Sequence, residues 1–160
     1  MKKLYLIRHA RSSKDIPNIK DSDRPLNKRG KKDARKIARS LKKLGLKVDA
    51  VYSSPAKRAF DTARAIAKRI GFARGKIKIE DGIYYTTVPR LLKVIKGTDD
   101  KAASAAIFGH NPEFLNLLNY LVPGSMDDFP AGAVIGIDLD IDSWKTAARK
   151  KGKIVLLIAP

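Results

Sequence analysis

The sequence contains no cysteine and only two histidines, His9 and His110. The lack of cysteine excludes a disulfide framework, thiolate catalysis and cysteine-ligated metal sites. No apolar stretch approaches the roughly 20 residues that span a bilayer. The segment from Met1 to Arg11 has only four consecutive apolar residues, too few for a secretory signal. We therefore predict a cytoplasmic protein with no membrane partner.

Acidic residues are also scarce. The chain has 16 Asp and Glu against 34 Lys and Arg, a formal net charge of +18 over 160 residues. Such an excess is typical of proteins that bind nucleic acids or acidic membranes, but it also fits a lysine-rich surface around a site that processes anions. Most lysines fall on the predicted outer faces of helices, which favours the second interpretation. We do not expect a specific nucleic-acid partner.

Apolar strands alternate with amphipathic helices along the chain. Strands are predicted at 4–7, 48–52, 76–79, 102–108, 134–141 and 154–158, and helices at 31–44, 55–70, 89–96 and 113–121. This alternation predicts an α/β fold with three α/β/α layers, a mostly parallel central sheet, helices on both faces and late strands antiparallel at one edge. The strand at 134–141 alternates apolar and polar residues and is predicted to be half exposed. Ser54 and Pro55 are the predicted cap and first position of the second helix.

The first predicted strand, Leu4 to Ile7, ends abruptly in Arg8 and His9. Ligands of α/β proteins usually bind at the carboxyl ends of the strands, so His9 is expected in a pocket. Arg8 and Arg11 disfavour the charged form of this histidine, and they attract an anion, most simply a phosphate. The alternative is a hydrogen-bonded histidine with a purely structural role.

Two later positions share the geometry predicted for His9. Arg58 falls in the first turn of the helix after the second strand, and His110 follows the strand that ends at Phe108. Because parallel strands joined by crossover helices end at the same edge, all three side chains are expected there. Helix N-termini near Ser54 and Asn111 would add positive potential for an anion.

These residues also form an ordered set of motifs that resembles a known family. The segment Leu6-Ile7-Arg8-His9-Ala10 resembles the Arg-His-Gly signature of the histidine phosphatase superfamily, with alanine where that signature usually has glycine. Further matches, in the expected order, are Ser53-Ser54-Pro55 with Arg58-Ala59 and Thr62-Ala63, then Gly109-His110-Asn111-Pro112. The segments Asp23-Arg24-Pro25-Leu26 and Asn27 to Gly30 resemble the SixA-type phosphohistidine phosphatase branch. The resemblance covers essentially the whole chain and implies one histidine phosphatase domain over residues 1–160.

The resemblance implies phosphoryl transfer through a covalent phosphohistidine on His9, followed by release of inorganic phosphate by water. Arg8 and Arg58 would clamp the phosphoryl oxygens and His110 would donate a further hydrogen bond. No metal or other cofactor is expected, because the arginines supply the positive charge. The expected substrate is a phosphorylated protein histidine or a small phosphorylated compound.

Three further residues, Arg24, Ser12 and Asn111, are predicted to bind substrate. For Arg24 the alternative is a loop arginine that pairs with Asp23. The general acid is left open among four carboxylates, which are Asp15, Glu80, Asp81 and Glu113. A site without a strong acid suits a phosphoramidate or an activated ester, because an alkoxide leaving group needs a proton.

Two other functions fit the same sequence. One is an acid-assisted phosphomonoesterase or mutase of the same superfamily, although the chain lacks the large insertions that usually enclose such substrates. The other is a basic domain that binds nucleic acid or phosphoprotein with little turnover. The four expected catalytic residues, His9, Arg8, Arg58 and His110, are all present, which favours an enzyme.

Overall fold

The computed structural model describes residues 1–160 and contains six strands and four α-helices. The strands are β1 (Lys2–Arg8), β2 (Ala50–Ser53), β3 (Lys78–Ile79), β4 (Ser104–Gly109), β5 (Val134–Leu139) and β6 (Gly152–Ile158). The helices are α1 (Lys28–Lys43), α2 (Lys57–Ile70), α3 (Val88–Lys96) and α4 (Glu113–Leu121). None of these helices combines the length and apolar character needed to cross a membrane.

The strands form one mixed sheet in the order β3-β2-β4-β1-β5-β6. The first four in this order pair in parallel, whereas β5 and β6 pair antiparallel at one edge. Alternate residues of β1 belong to two apolar cores, one on each face of the sheet. Leu4 and Leu6 pack with α3 and α4, whereas Tyr5 and Ile7 pack with α1 and α2. The predicted three-layer α/β fold, with antiparallel late strands at one edge, is confirmed.

The predicted exposure of β5 is wrong. Every residue of this strand except Asp138 is buried, because β5 lies between β1 and β6 and is covered on both faces. At Gly136 an added Cβ would lie only 2.9 Å from Leu156 and 3.1 Å from the Tyr5 ring, so its face is filled by neighbouring side chains. Asp138 pairs with Lys3 at 2.7 Å. The edge strand β6 shows the alternating exposure instead.

The second helix begins later than predicted. Helix α2 starts at Lys57 after Ala56, which makes no side-chain cap, so Pro55 lies outside the helix. The Ser54 hydroxyl accepts the Ala56 N–H at 3.1 Å and thus caps the turn before the helix. The same hydroxyl is 2.8 Å from the His110 ring, which joins the ends of β2 and β4.

The first helix begins three residues earlier than predicted, at Lys28, because the Asn27 side chain accepts the Gly30 N–H at 2.8 Å. This first turn packs directly on the segment after β1. A Cβ added at Gly30 would lie 1.9 Å from the carbonyl oxygen of Arg11. Only glycine allows α1 to approach the chain beside His9 so closely.

We expect Gly30→Ala to lower the free energy of unfolding by roughly 1–3 kcal/mol, because the methyl group forces α1 away from Arg11. Chemical denaturation of the purified protein measures this change. Gly75→Ala is the matched control, since a Cβ there meets nothing within 4 Å. Equal stability of the two variants would contradict the close approach.

Candidate active site

Parallel pairing brings the two histidines together. The register of β1 with β4 sets Arg8 opposite Gly109, and the next residue of each strand is a histidine. The His9 N–H donates to the Gly109 carbonyl at 3.0 Å, and the ring centroids of His9 and His110 are 5.2 Å apart. Residues about a hundred positions apart in sequence thus become neighbours at the carboxyl edge of the sheet.

Hydrogen bonding fixes the tautomer of His9. Its Nδ1 lies 2.7 Å from the carbonyl oxygen of Ala10, which can only accept, so we assign the hydrogen to Nδ1. The lone pair then lies on Nε2. Burial lowers the pKa of His9 to about 4, and the charges of Arg58 and Arg8 act in the same direction. At pH 7 His9 is therefore a neutral imidazole with a nucleophilic Nε2.

His110 is buried and neutral as well. Its Nε2 lies 2.8 Å from the Ser54 hydroxyl, whereas its Nδ1 is buried without a hydrogen-bond partner. Burial lowers its pKa to about 3, and His9 and Arg58 contribute to the shift. The unpaired Nδ1 leaves a ring position that a ligand can satisfy.

Arg58 is held by Asp21, a residue that the sequence analysis did not single out. The Arg58 guanidinium donates to the Asp21 carbonyl at 2.8 Å and to its carboxylate at 3.0 Å. Arg24 donates to the same carboxylate at 2.9 Å, so its predicted alternative partner, Asp23, is wrong. The three-residue spacing in the short 3-10 turn at Asp21–Asp23 places Asp21 and Arg24 on the same side of the turn, so their contact has a local signal. No sequence pattern indicates that Arg58 also contacts Asp21.

A second residue that the sequence analysis passed over, Tyr84, completes this cluster. Its hydroxyl donates a short hydrogen bond to the Asp21 carboxylate, and its ring lies 5.4 Å from that of His110. Burial acts to raise the pKa of Asp21, but hydrogen bonds from Tyr84, Arg24 and Arg58 outweigh it and hold this pKa well below its usual range. Burial and the Asp21 carboxylate raise the pKa of Tyr84. Asp21 is therefore ionised at pH 7 and is a poor proton donor.

Arg8 and Asn111 meet at one carbonyl. Both donate to the oxygen of Phe129, at 2.8 Å and 3.0 Å respectively. The Nε of Arg8 and the Oδ1 of Asn111 are buried without partners, as is the Nε of Arg58. Burial lowers the pKa of Arg8. The two unsatisfied Nε–H donors, on Arg8 and Arg58, mark a place where an anionic ligand can complete the hydrogen bonding.

The remaining predicted residue, Ser12, lies at the rim. Its hydroxyl accepts from Arg24 at 2.7 Å. Ser12 lines an open cleft of about 480 Å³ together with His9 and Asp15, and the full lining is Arg8, His9, Arg11, Ser12, Ser13, Lys14, Asp15, Asn27 and Ala131. Of the four carboxylates considered as acids, Asp15 shares this cleft. Glu80 lines a separate cavity beside β2.

The structure thus places all seven predicted site residues around the ends of β1, β2 and β4 and the loop that packs on them. The inner group consists of His9, Arg58 and His110. Arg24 lies behind Asp21, and Ser12 lies at the rim of the cleft. No group of three or more His, Cys, Asp or Glu side chains is arranged to hold a metal ion. The arrangement offers a neutral nucleophile beside fixed guanidinium groups, which suits attack on a phosphoryl group.

Comparison with known families gives the class of the protein. The model of the histidine phosphatase superfamily (branch 1) matches residues 4–83, half of the chain, a span that includes His9 and Arg58. The chain belongs to this superfamily.

Individual relatives extend the similarity over the full length. The chain is 28% identical to an uncharacterized chloroplastic protein of Arabidopsis thaliana over 99% of its own length and 78% of that protein. A candidate phosphohistidine phosphatase SixA from Agrobacterium tumefaciens has a TM-score of 0.86 at 23% identity, covering 99% of this chain and 98% of its own. A protein histidine phosphatase SixA solved with tungstate has a TM-score of 0.83 at 21% identity, covering 98% and 96%. These structures share the fold.

The two lowered histidine pKa values predict a stability that depends on pH. The unfolded chain binds protons near the ordinary value of 6.5, well above the folded values of about 4 and about 3. The two histidines therefore make their full contribution to the free energy of unfolding above pH 6.5. This contribution falls as the pH drops below 6.5, by up to about 1.4 kcal/mol per pH unit for each histidine. Denaturant unfolding between pH 7.5 and 5 measures this slope.

In His9→Asn, which cannot titrate in this range, the slope should fall by about half. A flat profile in the unsubstituted protein, or an unchanged slope in the variant, would contradict the lowered pKa values.

Proposed function

We propose that the protein is a phosphatase that hydrolyses phosphohistidine through a covalent phosphohistidine on His9. The observation that carries the proposal is the neutral His9, whose Nε2 is left free by the Nδ1 hydrogen bond to Ala10. Its ring lies 5.2 Å from that of His110, and it is close enough to Arg58 and Arg8 for their charges to act on it. Arg8, Arg58 and His110 each have a buried nitrogen atom without a partner. Membership of the histidine phosphatase superfamily and the shared fold of the SixA structures support this proposal.

The reaction proceeds in two displacements. In the first, the Nε2 lone pair of His9 attacks phosphorus, the bond from phosphorus to the substrate imidazole breaks with its electron pair, and that imidazole, which carries a proton on its other ring nitrogen, leaves as the neutral base. In the second, a water oxygen attacks the phosphoryl group on His9, the electron pair of the P–Nε2 bond returns to Nε2, and inorganic phosphate leaves with the two protons of the water. The Ala10 carbonyl stabilises the Nδ1–H of His9 in each step.

The cations stabilise the charge on the phosphoryl oxygens in the transition state. Arg8 and Arg58 are already held in place, by Phe129 and Asp21 respectively, so little ordering is needed when the substrate binds. Burial, and to a smaller extent repulsion by His9 and Arg58, disfavours protonated His110, and the negative charge of a bound phosphoryl group opposes both effects. His110 can then donate from Nδ1.

The charge state of the nearby carboxylate favours phosphohistidine over an alkyl ester. Asp21 is the carboxylate that contacts the arginines, and its lowered pKa keeps it ionised, so it does not protonate a leaving oxygen. An imidazole leaving group is stabilised far more readily than an alkoxide. Arg24 contacts the same carboxylate and contributes positive charge behind Arg58, while Ser12 and Asn111 complete the walls of the site.

An acid-assisted phosphomonoesterase is the second candidate, because Asp15 lines the same cleft as His9. In this case Asp15, which is exposed at the rim, would protonate the leaving oxygen of an ester. Asp15→Asn separates the two functions. It should leave phosphohistidine hydrolysis unchanged, and a loss of ester hydrolysis alone would identify Asp15 as the acid.

Replacement of the nucleophile should abolish turnover. We expect His9→Ala to lower phosphatase activity by about a thousandfold or more and to prevent covalent labelling by a radioactive phosphodonor. Circular dichroism should show an unchanged fold. Lys96→Ala is the surface control, since this residue is exposed on α3 and takes part in no ion pair. Activity that survives in His9→Ala would exclude the covalent mechanism.

The leaving group should control the rate. We expect a higher kcat/KM for phosphohistidine and for an aryl phosphate than for an alkyl monoester such as a sugar phosphate, by roughly a hundredfold. Initial rates on this panel, with and without a chelator, give the comparison. Equal rates on all substrates would instead indicate a general acid and the second candidate function.

A further inference from the structure

Much of the excess positive charge lines one groove. Helices α1 and α2 pack side by side, and the groove between them has a volume of about 620 Å³. Its lining includes one carboxylate, Asp61, and eight cations, which are Lys31, Arg35, Arg39, Lys42, Lys57, Arg64, Lys68 and Arg69. The like charges on the two rims repel one another, so the groove favours an anionic occupant.

The charge on α1 is not neutralised within the chain. Asp61 pairs with Lys57 at 3.3 Å and with Arg64 at 3.8 Å, both on its own helix. Arg35 and Arg39 are exposed and take part in no ion pair or side-chain hydrogen bond. Lys31, Arg35 and Arg39 recur every four residues, so they form a row of cations with a rise of about 6 Å between neighbours.

One end of the groove lies near the cleft that contains His9. Leu26 lines the groove and the next residue, Asn27, lines the cleft. On the opposite rim, Lys57 lines the groove and the next residue is Arg58. The first turn of α1 also contacts the Arg11 backbone, through Gly30. A chain that lies along the groove therefore has one end close to the cleft that contains His9.

We infer that this groove binds an acidic segment of the protein that carries the phosphohistidine substrate. Carboxylates on one face of a helix, at four-residue intervals, repeat about every 6 Å and match the row on α1. No aromatic residue lines the groove, so it lacks the stacking platforms with which proteins hold single-stranded nucleic acids. The inference rests on the proposed function, because it assigns a substrate class to that site.

A charge reversal tests the groove. The variant is Arg35→Glu with Arg39→Glu, and the control is Lys93→Glu with Lys96→Glu, an equal charge change on exposed lysines of α3, which packs on the other face of the sheet. The substrates are a phosphohistidine peptide with glutamates at four-residue intervals, the same peptide with glutamines, and para-nitrophenyl phosphate. At about 0.15 M salt, exposed charges act over a Debye length of about 8 Å, so charges on α3, across the sheet from α1, have little effect on the groove.

We expect the groove variant to raise KM for the glutamate peptide by roughly tenfold or more, with kcat unchanged. Values for the glutamine peptide and for para-nitrophenyl phosphate should stay within about twofold, and the control should behave like the unsubstituted protein. Equal effects of both variants, or equal KM values for the two peptides in the unsubstituted protein, would overturn the inference.

Binding without turnover separates this inference from the proposed function. The fluorescence anisotropy of the labelled, unphosphorylated glutamate peptide reports occupation of the groove even if the protein proves inactive on every phosphorylated substrate. We expect binding that weakens in the groove variant and persists in the control. Displacement of this peptide by single-stranded oligonucleotides at lower concentration than by polyglutamate would overturn the inference in favour of a nucleic-acid site.

Discussion

The parallel pairing of β1 with β4 is the constraint on which the site depends. Because Arg8 lies opposite Gly109, the two strands deliver His9 and His110 to the same edge, with ring centroids 5.2 Å apart. Two imidazoles this close, beside arginines and removed from water, cannot readily take up protons. Sheet register thus sets the protonation state of the proposed nucleophile, and the Ala10 carbonyl then fixes its tautomer.

Asp21 stabilises a second feature of the site, the buried guanidinium of Arg58. Arg58 is only 5% exposed, and a buried cation needs a partner that restores the solvation it has lost. The Asp21 carbonyl and carboxylate supply it, and Arg24 and Tyr84 in turn hold the carboxylate. The contacts that stabilise the buried arginine also keep Asp21 ionised, so in the proposed function the stability of the site and its preference for an imidazole leaving group have a common origin.

Charge is distributed to match this chemistry. The inner site is lined by cations whose hydrogen-bonding capacity is incomplete, and the groove between α1 and α2 extends the positive surface away from it. In the proposed function, short-range hydrogen bonds act on the phosphoryl group, and in the further inference the exposed cations act on the partner over longer distances and with stronger screening by salt. The inferred division assigns chemistry to the cleft and recognition of a macromolecule to the groove.

The sequence by itself determined the fold class, the antiparallel edge and the gathering of both histidines at one edge of the sheet, because hydrophobic periodicity and strand–helix alternation are local patterns. It did not reveal that β5 is covered on both faces, since the packing of Tyr5 and Leu156 over Gly136 joins three strands. Nor did it reveal Asp21 and Tyr84. The contacts of Asp21 with Arg58 and Tyr84 span 37 and 63 residues, and they exist only once the loop before α1 packs against α2.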